Sequence, residues 1–233
     1  MDFIGDALAE GWRVLSGFGP ELREVLWLTL LVSGLATLIG VILGVPLGVV
    51  LGLERFRGRA VLMTAVNVGM GFPPVLAGLL VLMLLWSDGP FGSLELLFTP
   101  AAMVVVQVLL ATPIAAGVTA GAVGALPRDA KEQLAALRLS SVARGLVVVR
   151  EAGPGVWAAV AASFGRVVAE VGAVLIVGGN IRGETRVLTT AIVQETRQAR
   201  FGAALALGAL LLVIALVVNG LITWLQLRGQ HDA

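Results

Sequence analysis

Charged residues vanish from four long stretches of this chain. Residues 25–53, 60–87, 96–127 and 201–227 contain none, and residues 152–181 contain only Arg166 and Glu170. A helix that crosses a bilayer needs about 20 consecutive apolar residues. Each of the five stretches is long enough, with residues left over for tilt. The alternation of a membrane β-barrel, in segments of roughly ten residues, is missing. The pattern predicts an all-α integral membrane protein with five transmembrane helices. Residues 6–19 are also apolar in part, but Asp6, Glu10 and Arg13 make them an interfacial helix rather than a sixth span. The chain then reads as an N-terminal interfacial segment, 1–24, followed by a single membrane domain, 25–227.

Composition agrees and narrows the chemistry. Hydrophobic residues make up 58% and charged residues 13%, against about 45–50% and 25% in a soluble domain. A net charge of +1 leaves no electrostatic footprint for nucleic acid. Cysteine is absent, and the single His231 cannot build a metal site or a triad. Orientation follows from the basic residues. With the N-terminus outside, the inner segments hold Arg55, Arg57, Arg59, Arg128, Lys131, Arg138, Arg144, Arg150 and Arg228. The outer segments hold Arg13, Arg23, Arg182, Arg186, Arg197 and Arg200. The cluster directly after the first span decides for N-outside and C-inside. No basic region precedes that span, so it is not expected to be a cleaved signal.

Within the spans, Gly40, Gly44, Gly48 and Gly52 recur every fourth residue, a smooth ridge for close approach of another helix. Pro46 interrupts the same helix. Thr29, Ser33 and Thr37 form a hydroxyl stripe that either bonds back to its own helix or lines a polar path. Phe72-Pro73-Pro74 should break the second apolar stretch, and broken backbone at membrane depth survives only under protein or water. Arg166 and Glu170 lie four residues apart, on one face if the helix is continuous. At about 1.5 Å per residue Arg166 would sit near mid-bilayer, where a charge facing lipid costs about 2.5–3.5 kcal/mol. The pair is expected either to fix an interface or to stand at a gate.

The longest polar segment, 127–153, predicts a short amphipathic helix over 129–139. Asp129 is its cap and Leu134, Leu137 and Leu139 are its apolar contacts. Such a helix lies on the membrane or fits a groove on a partner. The next span is entered through Pro154-Gly155.

Glu132-Gln133-Leu134-Ala135-Ala136-Leu137-Arg138, followed by Pro154-Gly155, resembles the EAA loop of bacterial ABC-importer permeases. That pattern wants Ala-Ala after the Glu and a Gly six residues on, where this chain has Gln133-Leu134 and Arg138. Thr29-Leu30, Gly44-Val45-Pro46-Leu47-Gly48, the segment from Phe72 to Leu79, Gly89-Pro90-Phe91-Gly92 and the run from Arg166 to Ala173 resemble permeases of the molybdate, sulfate and tungstate group. Leu97-Phe98-Thr99-Pro100, Gly178-Gly179-Asn180-Ile181 and the run from Thr185 to Ile192 are most similar to the tungstate permeases.

The resemblance implies the five-helix core of a type I importer permease in a bacterial or archaeal inner membrane. It implies a homodimer with two ATPase subunits and an extracytoplasmic oxyanion-binding protein. Glu132, Leu134, Ala135, Leu137 and Arg138 would couple to the ATPase. Thr29, Ser33, Thr37, Pro73, Pro74, Arg166 and Glu170 would line the path or gate. No G-x-x-x-x-G-K-[ST] phosphate loop exists, since Lys131, the only lysine, follows Ala130. ATP and Mg would therefore be bound by the partner, and this chain is expected to be non-catalytic and free of cofactors. A sulfate, amino-acid or methionine permease is the nearest alternative. A self-driven carrier would show internal repeats and more intramembrane charge.

Overall fold

The computed structural model describes residues 3–17, 19–137 and 139–231. Every regular element among them is helical: eleven α-helices and one 3-10 turn at Gly92–Leu94. Three helices are long and apolar enough to cross a membrane: α2 (Pro20–Leu53), α5 (Pro100–Gly124) and α11 (Phe201–His231). Apolar side chains occupy their whole circumference, as expected of helices that face protein on one side and lipid on the other. Pro46 in α2 and Pro113 in α5 are absorbed without ending either helix. The N-terminal segment forms α1 (Phe3–Ser16), which at about 1.5 Å per residue is too short to span.

Two expected spans are not single helices. Residues 60–87 divide into α3 (Arg59–Met70) and α4 (Pro74–Leu85). The break follows from the two prolines: Pro73 adopts φ −62°, ψ 119° as the cap residue and Pro74 opens α4, where its missing N–H is harmless. Residues 152–181 divide into α8 (Gly153–Val168) and the short α9 (Gly172–Gly178), with Glu170 between them. Ahead of α8 stands α7 (Ser141–Glu151), bent from it by 82°. The number of apolar spans is therefore three, or up to five if each bent pair, α3 with α4 and α7 with α8, is one span.

The polar segment also departs from expectation. α6 runs Arg128–Ala136 and closes on Leu137 rather than reaching residue 139. Asp129 is not its cap; the cap position is Pro127, and Asp129 lies in the first turn, where a carboxylate favours the helix dipole. Helix α10 (Leu188–Arg197) completes the set.

The fold separates into two compact units that share the long helices. The first comprises the chain up to Leu35, Pro73–Gln107 and Val168–Val218. In it Val25, Leu188, Ala191 and Leu207 form a core, and α4 lies so close to α9 that a Cβ on Gly78 would stand 2.9 Å from the Ala173 Cα. The second comprises Ala36–Phe72, Val108–Val167 and the chain from Asn219. Its centre is the seam between α2 and α5. A Cβ on Gly40 or Gly44 would lie 2.6 Å from the Cβ of Ala111 or Ala115, and one on Gly48 would lie 2.5 Å from the Ala116 carbonyl. The four-residue glycine ridge is a helix–helix contact.

Candidate functional site

The hydroxyl stripe of α2 resolves into different roles. Thr29 is 2% exposed. Its Oγ1 donates to the Val25 carbonyl at 2.6 Å and accepts from the Leu188 N–H at 2.9 Å. That N–H is one of the donors left open at the start of α10, so Thr29 ties α2 to α10. Ser33 and Thr37 are buried too. The Thr37 Oγ1 has no hydrogen-bond partner among the described residues, although a buried hydroxyl without one is disfavoured.

Glu170 stands in the irregular link after α8, not on its face. It is buried, and its Oε1 accepts the Ala173 N–H at 3.1 Å, capping the first turn of α9. The Thr189 hydroxyl donates to the Glu170 carbonyl oxygen at 3.0 Å. Arg166 lies in the last turn of α8. The two opposite charges therefore occupy a helix C-terminus and a helix N-terminus, each the end that its sign favours. The expectation of two charges on one continuous helix is corrected: the backbone leaves the helix at Ala169, and the Glu170 side chain serves the next one. Across α9, a Cβ on Gly172 would meet Val75 at 2.9 Å. The Pro73-Pro74 start of α4 and the Glu170 link thus share one region of the first unit. Thr29, through Leu188 and Thr189, belongs to it. Thr37 and Arg166 belong to the second unit.

The link from α9 to α10 is held by its own side chains. Gly179 (φ 71°) and Asn180 (φ 56°) turn the chain in the left-handed region, which glycine and asparagine enter most readily. Thr185 donates to the Gly178 carbonyl and accepts the Ile181 N–H at 2.9 Å. Arg186 Nε donates to Asn180 Oδ1 at 3.2 Å. Sequence reading had no signal for the Thr185 and Thr189 roles, because each partner is fixed by the turn rather than by spacing.

At the polar end of the second unit, α3, α6 and α7 are anchored by basic side chains. Lys131 Nζ donates to the Gly124 carbonyl at 2.7 Å, at the C-terminus of α5. Arg59 Nε donates to the Leu51 carbonyl at 2.8 Å, at the C-terminus of α2. Arg144 pairs with Glu54. Cations at helix C-termini complement the dipole and satisfy open carbonyls. Leu134 is 6% exposed and packs with Val45, Val49, Val123, Val148 and Ala152. It is a core residue of its own chain rather than a surface contact. Leu137 is 62% exposed, and Glu132 is exposed too. Ala135 lies within α6; Arg138 lies outside the described residues. On α7, Val142 and Leu146, one turn apart, are 75% and 67% exposed. Val142 and Leu146 thus form an exposed apolar pair on one face of α7.

Residues 44–229 match the family described as binding-protein-dependent transport system inner membrane component. The chain belongs to that family. Over 205 residues, 86% of this chain and 88% of the other, the permease is 43% identical to a probable anion ABC transporter permease protein of Haloferax volcanii. Over 229 residues, 97% of this chain and 99% of the other, it is 34% identical to the tungstate uptake system permease protein TupB of Peptoclostridium acidaminophilum. A chain of the MetNI methionine ABC transporter, solved in inward-facing conformations, shares the permease's fold. Its TM-score is 0.66 at 19% identity, covering 89% of this chain and 93% of that one. The fold is that of a type I ABC-importer permease.

Proposed function

We propose that this permease forms the translocation pathway of an ATP-driven importer for a tetrahedral oxyanion, tungstate or molybdate. Its near full-length likeness to a tungstate uptake permease carries that reading. Two copies assemble with two ATPase subunits and receive the anion from an extracytoplasmic binding protein. The chain is non-catalytic and has five spans, formed by α2, α3 with α4, α5, α8 with α9, and α11, with the N-terminus outside and the C-terminus inside. A conduction path needs hydrogen-bond donors that hold the anion weakly enough to release it. Ser33 and Thr37 supply neutral hydroxyls of that kind. Thr29 is committed to α10, and Glu170 with Pro73 and Pro74 sets the backbone at the gate, Arg166 lying one helix end away.

Coupling runs through exposed side chains of α6 and α7: Leu137, with Val142 and Leu146, meets an apolar groove on the ATPase, and Glu132 and Arg138 supply polar contacts to it. Reconstitution with the ATPase and the binding protein tests the whole reading. ATP-dependent tungstate uptake, competed by molybdate, is expected; preference for sulfate or an amino acid overturns the substrate, and ATP-independent saturable uptake by the chain alone overturns the importer. Leu137→Asp should insert normally yet separate ATP hydrolysis from uptake. Wild-type coupling in that variant refutes the docking role.

A further inference from the structure

The first unit contains a cavity of about 720 Å³ that none of these roles uses. It opens between α1, the start of α2, the α9–α10 link, α10 and the start of α11. Its floor is apolar: Val25, Ala191, Ala203 and Leu207, three of which belong to the unit's core. Its wall carries three carboxylates, Glu10, Glu21 and Glu195, and three guanidiniums, Arg182, Arg186 and Arg200. The volume lies within the roughly 300–1,000 Å³ of small-molecule sites.

Its depth in the membrane follows from the sequence. The charge-free run of α2 begins at Val25 and that of α11 at Phe201, and both first residues lie at or beside the cavity. Its charged wall therefore lies at the membrane–water boundary and its floor just inside the hydrocarbon edge. α1 runs alongside: Glu10 Oε2 accepts the Gly202 N–H at 3.2 Å, while Ile4 and Trp12 stay exposed, as in a helix lying in the interface.

From this geometry we propose that the cavity binds a zwitterionic phospholipid, headgroup on the charged wall and the first part of an acyl chain on the apolar floor. The charges balance, which favours a ligand with both signs over an anionic one. Arg182 pairs with Glu21, Arg186 stands 3.8 Å from Glu21, and Arg200 pairs with Glu195 at 2.7 Å. A guanidinium has five donors and a carboxylate about four acceptor sites, so these pairs leave capacity for a phosphate and an ammonium without being broken. Arg182 is largely exposed and meets the phosphate; Glu10, at the α1 edge, meets the ammonium.

Native mass spectrometry on the full-length chain, from nanodiscs of equal phosphatidylethanolamine, phosphatidylcholine and phosphatidylglycerol, tests this. Wild type is expected to retain phosphatidylethanolamine at least tenfold over phosphatidylglycerol. Ala203→Phe fills the floor and Arg182→Glu reverses one wall charge; each should lower that retention tenfold. Equal retention of the three lipids by wild type overturns the proposal, whatever the variants do. So does preference for phosphatidylglycerol, or retention unchanged in both folded variants.

Discussion

The seam between α2 and α5 and the stitched region around Glu170 hold helices together by opposite means. In the seam nothing polar is needed. Glycines at 40, 44, 48 and 52 remove side chains so that alanines, Thr119 and Val123 of α5 reach the α2 backbone. Lipid is as apolar as leucine, so such contacts rest on close packing alone. Around Glu170 the backbone leaves the helix, and its open groups are taken up one by one by Glu170, Thr189 and Thr29. The first device is continuous and rigid. The second can be undone bond by bond, which suits the gate proposed for it.

Adding volume to the seam is the hardest test of this contrast. Gly48→Leu places a branched side chain where a Cβ already stands 2.5 Å from the Ala116 carbonyl. Overpacking typically costs about 1–3 kcal/mol and occasionally more, and a backbone neighbour puts this site at the upper end. Thermal unfolding in detergent should show a large loss of stability or no folded protein. Gly34→Ala on the same helix meets nothing within 4 Å and should be neutral or stabilising by about 0.5–1 kcal/mol through helix propensity. Equal effects at the two positions would remove the seam as an explanation.

The stitched region should respond more mildly to stability and more strongly in transport. Glu170→Ala leaves the start of α9 without its cap, a loss of about 0.5–2 kcal/mol, with coupled uptake falling further than stability does. Glu170→Gln keeps an acceptor and should recover the stability but not the charge. If uptake followed stability in both variants, Glu170 would be a cap and nothing more. Thr29→Val removes one hydroxyl that serves two partners. With a typical hydrogen bond worth about 0.5–1.5 kcal/mol, the loss should lie near that range, and Thr29→Ser should restore it.

The same contrast explains what the sequence made legible. Uncharged length marked every apolar segment, and a four-residue glycine period marked the seam before any partner was known. The paired prolines marked the break before α4. The break at Ala169 was missed because Arg166 and Glu170 have a spacing that suits one helix equally well. Nothing local shows that the carboxylate caps the next helix as well. Leu134 and Leu137 looked alike, three residues apart on a short helix. Only the cluster around Val123 and Val148 shows that one faces inward.

The smallest expected effect comes from an exposed ion pair in the glycine-seam unit. Arg144 and Glu54 join α7 to the end of α2, but both side chains are about a third exposed or more. Exposed pairs contribute about 0.2–1 kcal/mol at most and are screened by salt. Arg144→Gln should therefore shift unfolding only slightly at low ionic strength and not at all at 1 M salt. If the tie serves chiefly to hold α7 in register for docking, the variant should lower the apparent affinity for the ATPase while stability stays near wild type. A stability loss as large as that of Glu170→Ala, persisting in high salt, would mean that polar stitching supports both units alike, and the distinction between them would fall.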